Sequence, residues 1–487
     1  MRRHPLQWLW LVVGLALLPL GSLFKENLRK HQIHDPTSPL AAEDVPPELS
    51  IAMAMGVFRS VLIDMIWLRA NELQQERRFM EIVQLYDLVG KLQPHNPKVW
   101  RYIGWNMSYN ISVAYPPGED RWRWVRNGLQ RLLLDGLRYN PHSMEIYEET
   151  SWILGHKMGR NLDDSHLIYK LKFYESIRDI MGEDLPEATH VMEWRQGSDS
   201  DLRERAHQIS RNLKATWGLK LEEMASMEVD DRFGPLDWRI PEVHAMYWAW
   251  QGLKNNRFNQ PDINLHRQIY HSQMQLVRKG SLIVLPGADG GPPQLSMWSD
   301  PRQIKPMLAM FEGQIDTFLA KNMDLVPLRS AYHSLLMEVF HVLGLTGQLE
   351  QADAILERAK TYFPDIFPDS NVRSIVARMM EKQFEDMAGD ETSSLIASII
   401  SRHLWWKGRG NSRRASALLG QAQELWRLNQ NSRQSVERSV HRDFGQLYDG
   451  VLNDIVQRDL FHPSVLNPLK IEMADRLRVS KPSASEN

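Results

Sequence analysis

The chain has 487 residues, 43% of them hydrophobic and 24% charged, which supplies a sizeable core and argues against a disordered chain. Its 58 basic and 60 acidic side chains nearly cancel, so no global field selects nucleic acid, and none is expected as a partner. Cysteine is absent, which excludes disulfides, thiolate metal sites, cysteine nucleophiles and a lipid-modified cysteine.

Residues 1–24 open with Arg2, Arg3 and His4, then run without charge until Lys25. The stretch 6–24, LQWLWLVVGLALLPLGSLF, has a helical length of about 28 Å, close to the thickness of a bilayer core. It reads as an amino-terminal transmembrane helix, with Trp8 and Trp10 suited to an interface. An uncleaved anchor is favoured because no A-x-A site follows, and a cut after Ser22 is the alternative. Arg2 and Arg3 face Lys25, Arg29 and Lys30 across the span, so charge sets orientation weakly. Because short amino-terminal tails stay cytoplasmic, the body is expected outside the cytoplasm, at a bacterial membrane. Residues 25–49, rich in proline and polar side chains, read as a linker.

Helical spacing then takes over. Val61, Met65 and Leu68 mark one helix, and Ile82, Leu85 and Leu88 a second, with a break at Gln75 to Arg78. Pro94 stops that pair, while Asn96 and Pro97 cap and start the next helix. The segment AYPPGED interrupts before a helix from about Arg121 to Leu137, and a further unit begins after Asn140 and Pro141. Residues 50–185 thus read as helical repeats and 186–284 as an irregular helical region, with a helix starting near Pro241 and a partner from His266 to Lys279. A glycine and proline cluster at 285–303 is the best internal break. Residues 304–479 return to helices, and 480–487 read as a flexible tail. No long period-two pattern occurs, so the fold class is all-α.

The sharpest segment is LMEVFHVLGLTGQLEQADAILERAKTYFP, where Gly347 separates two helices, Ala352 and Ala359 lie seven residues apart, and Pro364 stops the second. Trp100, Ile103 and Gly104 repeat that logic after Pro97. On these residues the chain resembles membrane-anchored bacterial tetratricopeptide-repeat (TPR) proteins, with close matches over about 140 residues. The resemblance implies a TPR-like helical solenoid whose first helices line a concave, partner-binding groove. Its second, fifth, ninth and twelfth positions fall here on Trp67 and Asn71, on Lys98, Arg101, Trp105 and Ser108, and on Met337 and His341. The family's carboxylate clamp fits Asn71 but not Trp67 or Tyr102.

Catalytic motifs are missing: there is no G-x-S-x-G elbow, no phosphate-binding loop, no dinucleotide fingerprint and no H-E-x-x-H. The E-x-x-H pairs Glu338/His341 and Glu187/His190 fall short of a bundle metal site, so neither metal nor cofactor is expected. Arg402, Trp405, Trp406, Lys407 and Arg409 form a basic and aromatic cluster that could hold an anionic ligand, or else flank two buried tryptophans. The expected function is a membrane-tethered scaffold that recruits proteins or peptides, not an enzyme. Alternatives are an accessory subunit of a membrane transporter or secretion system, and a membrane-bound hydrolase using acids such as Glu48, Glu72, Glu76 and Glu81.

Overall fold

The computed structural model describes residues 58–160, 163–285, 294–368, 371–386, 389–432, 443–461 and 463–479. These are predominantly helical, as the spacing of apolar residues implies, with one two-stranded β-ribbon added. The expected anchor at 6–24, the linker 25–49 and the tail 480–487 lie outside the described residues. Among the described residues no helix is long and apolar enough to cross a membrane. The chain divides between Leu92 and Gln93 into two compact units.

The first unit contributes a hairpin of α1 (Phe58–Gln75) and α2 (Phe79–Leu92). Its core is Ile63, Ile66, Ala70 and Leu73 against Ile82, Tyr86 and Val89, a stripe at three- and four-residue spacing on each helix. The sequence pattern Val61, Met65, Leu68 lies on the opposite side of α1 and is exposed. Both stripes have helical period, and tertiary packing selects between them.

The second unit begins with α3 (Pro97–Trp105), where the Asn96 side chain accepts from the Lys98 backbone N–H at 3.2 Å and Pro97 occupies the first turn. It continues through a π-helical turn at Asn106–Ile111. After the interruption come α4 (Glu119–Gln130), a π-turn at Arg131–Gly136, α5 (Met144–Trp152) and a third π-turn at Ile153–Met158. Gly104 and Gly128 mark the closest approach of α3 and α4. A Cβ on Gly104 would come within 2.6 Å of Leu132, and one on Gly128 within 2.7 Å of the Gly104 carbonyl.

Helices α6 (His166–Met181), α7 (Ala188–Gln196), α8 (Ser200–Trp217) and α9 (Leu221–Glu228) follow. Then α10 (Pro241–Lys254), buried over most of its length, packs against both α5 and α11 (Ile263–Lys279). Part of the expected loop at 285–303 is strand: β1 (Ser281–Leu285) pairs antiparallel with β2 (Gln294–Trp298), Ser281 opposite Trp298. Beyond it lie α12 (Ile304–Ala320), α13 (Val326–Leu345), α14 (Leu349–Tyr362), α15 (Val372–Asp386), α16 (Gly389–Gly408), α17 (Ser412–Ser432), α18 (Phe444–Gln457) and α19 (Pro463–Val479). Their shared core joins Leu336, Val339, Phe340 and Leu343 of α13 to Ala352, Leu356 and Ala359 of α14 and on to Ile400 and Leu404 of α16.

Candidate functional site

Three helices of the second unit each turn one face into a cleft of about 940 Å³. Lys98, Arg101, Tyr102 and Trp105 come from α3; Glu145, Glu148, Glu149 and Trp152 from α5; Asn264, Arg267, Gln268 and His271 from α11. Every set has the spacing i, i+3, i+4, i+7, which is one face of a helix over two turns. Because α10 backs both α5 and α11, the acidic and basic walls sit on packed scaffolding.

The walls are electrostatically mixed. Arg101 donates from Nε to Glu149 at 3.1 Å, pairing a half-exposed guanidinium with a carboxylate that is only 7% exposed. Burial pushes the Glu149 pKa up, opposed by Arg101; burial likewise raises that of Glu148, opposed by Asn264 and Arg101. Burial lowers the pKa values of His156 and His271, helped by Arg160. The rim is aromatic: Trp105 stacks on Tyr109 at 6.4 Å, Tyr109 meets His156 through a 3.1 Å hydrogen bond, and His156 stacks on Trp152 at 4.2 Å. Trp105 and Trp152 are 38% and 39% exposed, so part of each ring is open to a ligand beside its stacked partner.

Lys98, Arg101 and Trp105 are therefore brought together, but Ser108 is not with them. It is fully buried, and its hydroxyl lies 2.4 Å from where a Cβ on Gly128 would stand. The π-turn after Trp105 breaks the helical phase, and Tyr109 takes the place beside Trp105. Trp67 is half-buried in the hairpin of the first unit, tilted on Tyr86 at 5.8 Å, and Asn71 is exposed there. Met337 packs against the core around α13, and His341 is half-buried on the same helix. Neither lines the cleft.

In the basic cluster at 402–409 the named charges are engaged by rings and a carboxylate of the fold, with Lys407 and Arg409 exposed. Arg402 is 9% exposed and lies over the Trp298 ring at 5.3 Å, and burial pushes its pKa down to about 10. Lys407 is bound to Glu472 at 2.7 Å, Trp405 and Trp406 meet edge to face at 4.8 Å, and Arg409 covers the Trp405 ring at 4.7 Å. Glu338 pairs with Arg278 at 2.6 Å, while Glu187 and His190 are exposed. Among the described residues no three His, Cys, Asp or Glu side chains group as metal ligands. Glu72, Glu76 and Glu81 are exposed and paired with Arg69 and Arg78; Glu48 lies outside the described residues.

The acids of the cleft were not singled out in the sequence, although a signal was there. Asn140-Pro141 lies in the turn just before α5, whose N-cap is Ser143, while Asn96-Pro97 caps and opens α3; even so, positions four and eight after each proline give Arg101 and Trp105, then Glu145 and Glu149. No comparable signal marks the α11 face.

No protein-family model, curated protein or solved structure matches this chain. The functional reading therefore rests on the cleft and the helix patterning.

Proposed function

We propose that the chain is an interaction scaffold, a TPR-like helical solenoid tethered to a bacterial membrane through residues 6–24 with its body on the periplasmic side. Its working surface is the α3–α5–α11 cleft, which captures an extended segment of a partner protein. One observation carries this reading: three helices present the same four-residue face to one open cleft whose exposed rings are interleaved with both signs of charge. Exposed tryptophans supply contact area at low entropic cost, and alternating Lys98, Arg101 and Arg267 against Glu145, Glu148 and Glu149 suits a polypeptide better than a polyanion. The test is photo-crosslinking in cells with a reactive residue at Trp105, and a control at Phe258, an exposed position outside the cleft. Discrete partner adducts at Trp105 that are absent at Phe258 are expected; identical adducts at both positions defeat the proposal.

A second reading, a hydrolase, gains support from the same cleft, since three carboxyl groups face one cavity and two have raised pKa values through burial. It requires turnover of a chromogenic glycoside or peptide panel that is lost in Glu148→Gln; no turnover by the native protein removes it. A transporter-accessory role uses the same surface with the body in the cytoplasm.

A further inference from the structure

Below the cleft, and sharing Trp152, Gln268 and His271 with it, lies a recess of about 30 Å³, room for about two water-sized groups. One wall is Glu242, in the first turn of α10 and 1% exposed. Neither of its carboxyl oxygens accepts a hydrogen bond from any other described residue. Burial raises its pKa, opposed by the charge of Lys170, by its own backbone amide and by Lys279. Gly155 lines the recess, and Gly159 packs close behind Glu242: a Cβ on Gly159 would come 2.8 Å from Glu242 Oε1 and 2.5 Å from the Gly155 carbonyl.

The unpartnered atoms around both cavities share one character. Glu242 Oε1 and Oε2, Gln268 Oε1, Glu145 Oε2 and Glu149 Oε1 are buried without a donor from any other described residue, and with the carboxyl groups ionised all are acceptors. The Gln268 amide nitrogen is committed to the Glu148 carbonyl at 3.0 Å, which fixes its oxygen as the free end. Buried acceptors without donors are unfavourable, so the site is complementary to a group rich in N–H. The recess offers three such acceptors, and a primary ammonium carries three hydrogens. Of the cations around it, Lys170 and Lys279 act on Glu242 through charge, while Arg160 on the wall is half-exposed and screened by water, and His156 and His271 bring no charge while neutral.

We propose that the recess is an ammonium subsite at the floor of the cleft, where Glu242 and Gln268 receive a primary ammonium from the captured segment, passing the face of Trp152. The proposal rests on the cleft reading and names the group that the cleft selects. The ammonium belongs to a lysine side chain or to a chain amino terminus, two sources with the same chemistry.

Calorimetric titration of the full chain with three tripeptide amides tests it. Acetyl-Gly-Lys-Gly-amide carries only a side-chain ammonium, Gly-norleucine-Gly-amide only a terminal one, and acetyl-Gly-norleucine-Gly-amide neither. At least one ammonium peptide is expected to bind tenfold or more tighter than the neutral one, and which one identifies the source. Glu242→Gln, nearly the same shape, is expected to bring that advantage within twofold. Gly155→Ala, whose added methyl meets nothing closer than 3.4 Å, narrows the recess and is expected to do the same. An advantage that survives both variants, or no advantage in the native protein, overturns the subsite. If all three peptides bind equally and Trp105→Ala weakens them all, the cleft reading stands and the subsite falls; if none binds, both fall.

Discussion

Arg101 illustrates how a residue that lines a cleft can be a poor place to test it by truncation. It lines the cleft, but it is also the partner of the buried Glu149 carboxylate. Arg101→Ala leaves that carboxylate without a partner, at a cost of about 1–3 kcal/mol that would mimic lost function. Urea unfolding should show this loss, and a second change, Glu149→Gln, should recover most of it; full stability of the single variant would contradict the pairing. His244 carries a second residue-scale prediction. Its ring is fully enclosed, Nε2 lies 2.7 Å from the Trp238 carbonyl, and burial pushes its pKa down to about 4. An unfolded histidine titrates near about 6.5, so between these values the unfolded chain binds a proton that the native state refuses. The contribution is complete above the unfolded value, is lost as pH falls through the window, and amounts to about 3 kcal/mol. In His244→Gln the stability curve should be flatter by about one proton across that window, and an unchanged slope would refute the assignment. Lys98, Arg101 and Trp105 were readable because Asn96-Pro97 fixes the helix start. Ser108 was not, because no residue type announces a π-turn, and one extra residue in a turn moves every later side chain around the helix.

At the scale of elements, the turn between α13 and α14 was the most legible. Gly347 sits at φ +68°, its N–H bonds to Gly344, and the Gln348 N–H reaches back to Leu343 at 2.8 Å, a Schellman closure that favours glycine. Gly347→Ala should cost about 1–2 kcal/mol from the left-handed backbone alone, and its Cβ would also stand 2.9 Å from the Ala417 carbonyl. Gly313→Ala, inside α12 with open space around it, should instead gain about 0.5–1 kcal/mol. Thermal melts of the two variants should therefore move in opposite directions, and a shift of the same sign in both would break the argument. The cluster at 402–409 was illegible for a different reason. Its charges look free in a linear reading, because the carboxylate that holds Lys407 is supplied by Glu472, on α19, and the ring under Arg402 by Trp298, on β2. The α11 face of the cleft is hidden in the same way, since α11 reaches the site by packing on α10 and carries no repeat signature.

For the whole molecule the open question is attachment. The described residues contain no helix long and apolar enough to span a bilayer, so the proposed tether at 6–24 has no second candidate among them. Deleting residues 6–24 should release the body from membranes. The readout matters: the sequence pI is about 6.8 and the formal net charge is −2, and a chain with so little net charge tends to associate near neutral pH. Pelleting would confuse aggregates with membranes, so flotation on a density gradient at pH 8 is the right separation, with the intact chain floating and the deletion staying in the dense fraction. Flotation of the deletion would place the attachment elsewhere. Orientation needs its own measurement, because Arg2 and Arg3 on one flank are matched by Lys25, Arg29 and Lys30 on the other. A reporter active only outside the cytoplasm, fused after Asn487, should be active. Activity instead from a cytoplasm-only reporter would reverse the topology and move the cleft to the compartment where a transporter-accessory role operates.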